Sequence, residues 1–400
     1  MPRVNMISRL GGAMKLRWEK LLELARGTEK QSKRNKYSAT EKKPVEGKTT
    51  PEEILSFAEE LLERKKRGEA EELFVNLISH PDISESDLSK VSDLLQEIGN
   101  YELAYKGYLE LRNRDKTNAY PIYCMGKIHE IEGKLSDAIR LHREAISAEP
   151  GNPECYFRLG VAYTKNHQYE EAEKCYRQAI TLDPTHSKSY TNLGYILDMH
   201  GRQDVAMQQF LKAVQHNPKS AEAHFNLGAL FGDDGNKQQA INEFRVGLEL
   251  SPTCVEGRYN LGMALVNEGH YEEAMEEFKK ILKLEPDNVN AFFYIGYLYY
   301  RKGLYGKALN YLRRASELNP GNAKILFYVG ECFNNLERSE EALGYYKEVV
   351  NINPHDRKAY FSLAVTYEKQ GYTGKARECY KKAASGREVR QKSIKRGILE

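Results

Sequence analysis

The sequence predicts an all-α fold, a solenoid of stacked helical hairpins, on three observations. A small residue flanked by apolar ones recurs every 34 residues at Gly126, Gly160, Gly194, Gly228, Gly262, Gly296, Gly330 and Ala364. Ala138, Ala172, Ala206, Ala240, Ala274, Ala308, Ala342 and Ala376 keep the same step, and so do Pro150, Pro184, Pro218, Pro252, Pro286, Pro320 and Pro354. Three registers locked together over eight copies mark one supersecondary unit used again and again.

Within a unit the apolar residues follow helical spacing. Tyr156, Leu159, Gly160 and Tyr163 lie at i, i+3, i+4 and i+7, and Ala172, Tyr176 and Ala179 repeat the pattern on a second helix. Between the two stands a turn signal, usually glycine (Gly133, Gly201, Gly235, Gly269, Gly303, Gly371). The unit closes on Asn-Pro, Asp-Pro or a similar pair, which cannot continue a helix. The small residues serve packing, since Gly160 on the first helix and Ala172 on the second let two helix backbones approach closely.

The eight clear copies span residues 119–386, and the alanine register continues backward to Ala104 and Ala70. In the copy at 85–118, Leu88, Leu95, Gly99, Tyr101, Ala104 and Tyr108 fit, while Ser92 stands in place of the small glycine and Lys116 in place of proline. In the copy at 51–84, Ile54, Phe57, Ala58, Leu61, Ala70 and Phe74 fit, with Pro81 one place early. The expected organisation is a basic tail at 1–50, two degenerate repeats at 51–118, eight regular repeats at 119–386 and a capping segment at 387–400.

This pattern resembles the tetratricopeptide repeat, whose period and small, aromatic and proline landmarks match these positions. The resemblance implies a right-handed superhelical solenoid of about ten helix-turn-helix repeats. It also implies a protein-interaction scaffold or adaptor that holds peptides or protein partners in a concave groove. Two alternatives stand beside this: a self-assembling scaffold, and a regulatory or targeting subunit of a separately encoded enzyme.

Composition narrows the function classes. The 400 residues are 40% hydrophobic and 29% charged, and the longest apolar stretch, "FFYIGYLYY", ends at Arg301. That is far short of the roughly 20 apolar residues a membrane span needs. The formal charge of +3 is uneven: residues 1–50 carry 13 Lys/Arg against 5 Asp/Glu, and the remainder is mildly acidic. No stripe of Lys/Arg with interleaved aromatics runs through the repeats, so nucleic acid is not an expected partner. Cys124, Cys155, Cys175, Cys254, Cys332 and Cys379 contain no CxxC pair, and they read as reduced, packed thiols of a cytoplasmic protein.

No catalytic constellation is present. His142, His167, His224 and His270 occupy different repeat positions, none with HExxH spacing, and there is no phosphate-cradling glycine loop. The pairs Glu170–Glu171 and Glu272–Glu273 open second helices, where the helix dipole favours negative charge. The copies run close enough to residue 400 to leave no room here for an appended catalytic domain. The expectation is therefore no enzymatic activity, no cofactor and no metal.

The resemblance also points to a working surface. In the family the groove is lined by the second, fifth, sixth, ninth, twelfth and thirteenth repeat positions. The fifth reads Tyr123, Phe157, Thr191, Phe225, Tyr259, Phe293, Phe327 and Phe361. The sixth reads Asn192, Asn226 and Asn260 in three successive copies, and in related repeat-containing glycosyltransferases such an asparagine ladder grips peptide backbone. The ninth reads Lys127, Val161, Tyr195, Ala229, Met263, Tyr297, Glu331 and Val365. The lysine and asparagine that chaperone-docking relatives use to clamp a C-terminal carboxylate are missing. The candidate contact residues are Asn192, Asn226, Asn260, Phe225 and Tyr259, together with an aromatic-plus-guanidinium patch of Phe293, Tyr297, Tyr300 and Arg301, a composition suited to interaction hot spots.

The ends differ from the repeats. Residues 14–26, "MKLRWEKLLELAR", place Met14, Trp18, Leu21, Leu22 and Ala25 on one helical face, and residues 27–50 form a charged linker. The short amphipathic helix has three expected roles: docking on a partner, lying on an anionic membrane surface, or capping the first repeat. At the other end "REVRQKSIKRGILE" is the expected polar cap.

Overall fold

A computed structural model describes residues 50–396. The amphipathic segment 14–26, the linker through residue 49 and residues 397–400 of the expected cap lie outside the described residues. So do the side chains from residue 385 onward.

Among the described residues twenty helices form ten hairpins, and the chain divides into two compact units, Met1–Lys219 and Ser220–Glu400. In the first unit the pairs are α1 (Pro51–Glu63) with α2 (Arg67–Ile78), α3 (Glu85–Glu97) with α4 (Tyr101–Arg114), α5 (Ala119–Ile131) with α6 (Leu135–Ala148), α7 (Pro153–Lys165) with α8 (Tyr169–Leu182), and α9 (Ser187–Met199) with α10 (Gln203–His216). In the second they are α11 (Ala221–Asp233) with α12 (Lys237–Leu250), α13 (Val255–Glu268) with α14 (Tyr271–Leu284), α15 (Val289–Arg301) with α16 (Tyr305–Leu318), α17 (Ala323–Asn335) with α18 (Ser339–Ile352), and α19 (Arg357–Lys369) with α20 (Thr373–Arg396). Within each unit every hairpin packs on the one before it and the one after it. The described residues contain no strand.

The local chemistry explains the punctuation. Each regular first helix is capped by the side chain just before it. Asn118, Asn152, Ser220, Asn288, Asn322 and Asp356 accept from first-turn amides, and Cys254 does so through its sulfur. The second helices from α6 to α18 lack such caps, and several place acids in the first turn instead, Glu170–Glu171 and Glu272–Glu273 among them. The turn between the helices needs one residue in the left-handed region. Glycine fills it seven times, from Gly99 to Gly371, whereas Lys65, His167 and Glu337 adopt φ near +60° at a cost glycine does not incur.

The core follows the two small registers. Ala70, Ala104, Ala138, Ala172, Ala206, Ala240, Ala274, Ala308 and Ala342 are fully buried. Opposite them the first-helix glycines lie against the large residue of the second helix. A Cβ placed on Gly160 would sit 2.6 Å from Tyr176, on Gly194 2.8 Å from Phe210, on Gly262 2.7 Å from Phe278 and on Gly330 2.8 Å from Tyr346. The irregular second repeat keeps the volume by exchange: Ser92 occupies the glycine place, and Gly107 across from it makes room, since a Cβ there would lie 2.1 Å from Ser92 Oγ. Ser92 Oγ then donates to Leu88 O within its own helix, at 2.7 Å.

Candidate functional site

First helices supply the candidate contact residues, and each unit places its own. In the first unit Asn192 on α9 is only 9% exposed, and its Nδ2 donates to Tyr176 Oη at 3.3 Å. Thr164 Oγ1 stands 2.9 Å from the same hydroxyl while donating to Gly160 O, so the Tyr176 hydroxyl donates to Thr164 and accepts from Asn192. The Asn192 amide thus serves the packing of neighbouring repeats. The sequence expectation had it facing a ligand; a fully buried tyrosine hydroxyl that needed a second partner explains the difference.

In the second unit Phe225 on α11 is also a packing residue, 5% exposed. Its ring lies against Gly247 and Gly257, where an added Cβ would come within 2.5 Å of it. Asn226 beside it is half-buried, as is Asn260 on α13. Among the described residues Asn260 makes no side-chain hydrogen bond. Tyr259 meets Phe278 and Tyr294 edge-on, at 6.1 and 5.7 Å between centroids, and burial with the neighbouring Tyr294 phenol holds its own phenol above the usual range.

The aromatic-plus-guanidinium patch comes together as one surface, with one exception. Phe293 is 4% exposed and forms the floor. Tyr297 stacks parallel to it at 6.2 Å, and Tyr328 of α17 closes on both, 5.8 Å from Phe293 and 5.1 Å from Tyr297. Arg301 is exposed at the end of α15. Its Nη1 donates to Tyr297 Oη at 3.0 Å and its Nη2 to Tyr271 Oη at 3.2 Å, with the guanidinium over both rings. Two tyrosines therefore fix the orientation of an exposed cation. Tyr300 stands 5.4 Å from Tyr328 and donates to Glu331 Oε2 at 3.3 Å.

Sequence reasoning missed Tyr271, Tyr328 and Glu331. Glu331 had a visible signal: it is the carboxylate in a ninth-position series that otherwise reads Lys, Val, Tyr, Ala, Met, Tyr and Val. Also missed was a buried charge cluster in the first unit, where Glu130 accepts from His142 Nε2 at 2.8 Å and Lys165 Nζ at 2.6 Å. Burial alone would raise the Glu130 carboxyl, but these two partners outweigh it and hold it below the usual range. The cluster joins α5, α6 and α7 and is closed to solvent at Glu130 and His142.

The remaining chemistry-bearing groups are protected. All six cysteines are free thiols, and burial pushes Cys124 and Cys175 up to about 11 and Cys155 and Cys332 up to about 12, which leaves them protonated at neutral pH. Among the described residues no group of three or more His, Cys, Asp or Glu side chains is arranged to hold a metal ion, and no helix is long and apolar enough to cross a membrane.

Family models of the tetratricopeptide repeat match residues 153–186, 175–208, 259–323, 296–356 and 358–385. The chain carries tetratricopeptide repeats. Each match falls on hairpins described above, and members of the family are, in general, interaction scaffolds built from such hairpins. No curated protein matches this tetratricopeptide-repeat protein at a significant level. Among solved structures it is similar to YrrB, described as a TPR protein with an unusual peptide-binding site, at 24% identity and a TM-score of 0.43 over 46% of this chain and 95% of that one. It is also similar to the C-terminal part of a TPR repeat-containing protein from Cytophaga hutchinsonii, at 22% identity and a TM-score of 0.49 over 60% and 99% of the two chains. A third is pilF of Pseudomonas aeruginosa, at 19% identity and a TM-score of 0.46 over 55% and 96%.

Proposed function

We propose that this tetratricopeptide-repeat protein is a non-catalytic scaffold or adaptor of a reducing, cytoplasmic compartment. It holds an extended segment of a protein partner against the first helices of its second unit. The observation that carries the reading is Arg301, an exposed guanidinium held by Tyr297 and Tyr271 beside the half-buried rings of Tyr300 and Tyr328. Tyr and Arg set in a partly desolvated surface are the residue types that dominate interaction energies. Asn226, Asn260 and Tyr259 extend the proposed contact surface toward α11 and α13, with Asn260 supplying an amide able both to donate to and accept from a peptide backbone.

The test is affinity purification of the full chain with mass spectrometry, beside the double variant Tyr297→Ala/Arg301→Ala. The variant should keep the parental circular dichroism and lose its principal partner by more than about tenfold, the range of a single hot-spot pair. Undiminished recovery would remove this surface from consideration. A second reading has its own support, in the opposition between the basic residues 1–50 and the mildly acidic remainder: the groove of one copy receives the tail of another. Sedimentation velocity on the full chain and on a chain lacking residues 1–50 separates the two, since only self-assembly makes the sedimentation coefficient depend on the tail and on concentration.

A further inference from the structure

Glu331 is a half-buried carboxylate on α17 whose partners are all neutral. Oε1 accepts from Tyr346 Oη at 2.6 Å and from Ser362 Oγ at 2.8 Å, and Oε2 accepts from Tyr300 Oη at 3.3 Å. Among the described residues no Lys, Arg or His nitrogen lies within the 4.0 Å of an ion pair with it. Glu130, a carboxylate nearly closed to solvent, has by contrast both Lys165 and His142. Three hydroxyl donors orient the Glu331 charge and leave it uncompensated in a partly desolvated place, where a charge attracts an opposite one more strongly than in open water.

The rings around it point to a cation as well. Tyr300 and Tyr328 meet edge to face at 5.4 Å and 68°, forming a corner next to the carboxylate, with Tyr305 5.7 Å beyond Tyr300. The chain's own cations lie on other rings of the patch: Arg301 over Tyr271 and Tyr297, Lys324 over Phe293 and Tyr294. Burial and the Glu331 carboxylate both hold the Tyr300 phenol above its ordinary range, so it remains a donor. Oε1 already carries two short hydrogen bonds, while Oε2 carries one long one. A carboxylate in that condition has one acceptor direction open, which suits a single-point ammonium better than the two-pronged fork of a guanidinium.

We propose that Glu331, with the rings of Tyr300 and Tyr328, is a subsite for a lysine ammonium on the extended segment that the groove holds. The subsite rests on the scaffold reading above and adds the partner's chemistry to it: a lysine whose methylene stem crosses the tyrosine rings and whose ammonium donates to Glu331 Oε2.

The probe is a positional-scanning library of short N-acetylated, C-amidated peptides in which one position is fixed as lysine, arginine, norleucine or glutamate, with binding to the full chain read by fluorescence polarisation. The lysine pools should bind about tenfold tighter than the norleucine pools, and arginine should fall between them. In Glu331→Gln the lysine advantage should shrink to about twofold or less, while Tyr300→Phe, which keeps the ring and frees Oε2, should retain it. Equal binding of lysine and norleucine pools by the parent chain would overturn the subsite and leave the scaffold reading standing, as would an arginine preference or an advantage that survives in Glu331→Gln. Absence of binding by every pool would instead overturn the scaffold reading, and the subsite with it. The parent-chain comparison can refute the subsite even if Glu331→Gln does not fold, and Glu331→Ala then serves as the second variant.

Discussion

Gly262→Ala and Gly344→Ala are the same chemical change in two helix interiors, and the structure assigns them opposite signs. Gly344 is exposed on α18, and a Cβ there would meet nothing within 4 Å. Its replacement should therefore yield only the helix-propensity gain of about 1 kcal/mol. At Gly262 the new Cβ would lie 2.7 Å from Phe278 Cζ, 2.9 Å from Cε1 and 3.2 Å from Cε2. Phe278 is fully buried and stacked on Tyr294 at 5.2 Å and 14°, so its ring has no free direction in which to yield. Overpacking of this kind costs about 1–3 kcal/mol, which exceeds the propensity gain and leaves a net loss of about 1 kcal/mol. The two variants should thus differ by about 2 kcal/mol, read from urea midpoints by far-UV circular dichroism. Stacked repeats need not unfold as one unit, so amide exchange in α13 and α14 gives a local second readout and should accelerate in Gly262→Ala alone. If both variants shifted the midpoint in the same direction by the same amount, the close approach of α13 to the Phe278 ring would be refuted.

Ala240→Leu inserts bulk at a fully buried position on α12 and should cost about 1–3 kcal/mol by the same denaturation assay. Asn192→Ala removes one partner of the Tyr176 hydroxyl and should lower stability by about 0.5–1.5 kcal/mol, whereas Asn260→Ala should stay within about 0.5 kcal/mol of the parent in thermal melts. Glu154 is pushed up by burial, but His186 and Arg158 outweigh this and bring it down to about 2. Because its folded value lies below the unfolded one, its contribution is present above about pH 4.3 and is lost as the pH falls toward 2. Glu154→Gln should flatten the acid side of the stability profile in that window without changing the slope above it.

The fold was legible because the decisive constraint is periodic. A glycine that must clear a ring, an alanine at the helix contact and a proline at the exit recur at one spacing, and no other reading satisfies all three. Even the departure at Ser92 was visible as a departure, although its remedy at Gly107 was not, because the exchange crosses between helices rather than following a register. The candidate surface was less legible for the same reason. Phe225 belongs to an aromatic series that looks uniform along the chain, yet its ring is enclosed by Gly247 and Gly257, two glycines outside every series. Asn192 belongs to an asparagine series, yet the hydroxyl of Tyr176 on the preceding hairpin claims it, while the matching place before Asn260 holds Phe244, which has no hydroxyl. Tyr297, Tyr300 and Arg301 were recognisable because their spacing on one helix suffices to bring them together. Tyr271, Tyr328 and Glu331 join them from other helices.

The large second-helix residue that faces the small first-helix position differs from repeat to repeat, and whether it carries a hydroxyl bears on how such an array can change length. Tyr108, Tyr176 and Tyr346 carry hydroxyls tied to polar groups of the same repeat and, directly or through a shared carboxylate, of the next: Asp93 with Tyr120, Thr164 with Asn192, Glu331 with Ser362. Phe278 carries no hydroxyl and meets the next repeat through apolar packing, including ring stacking on Tyr294. A repeat gained or lost at a tyrosine joint would strand a buried hydroxyl or carboxylate, at about 1–3 kcal/mol for each orphaned group. At the Phe278 joint a newcomer needs only an apolar ring of suitable size. The array therefore has built-in seams, and duplication or deletion of whole repeats meets the least resistance where the joint carries no hydroxyl.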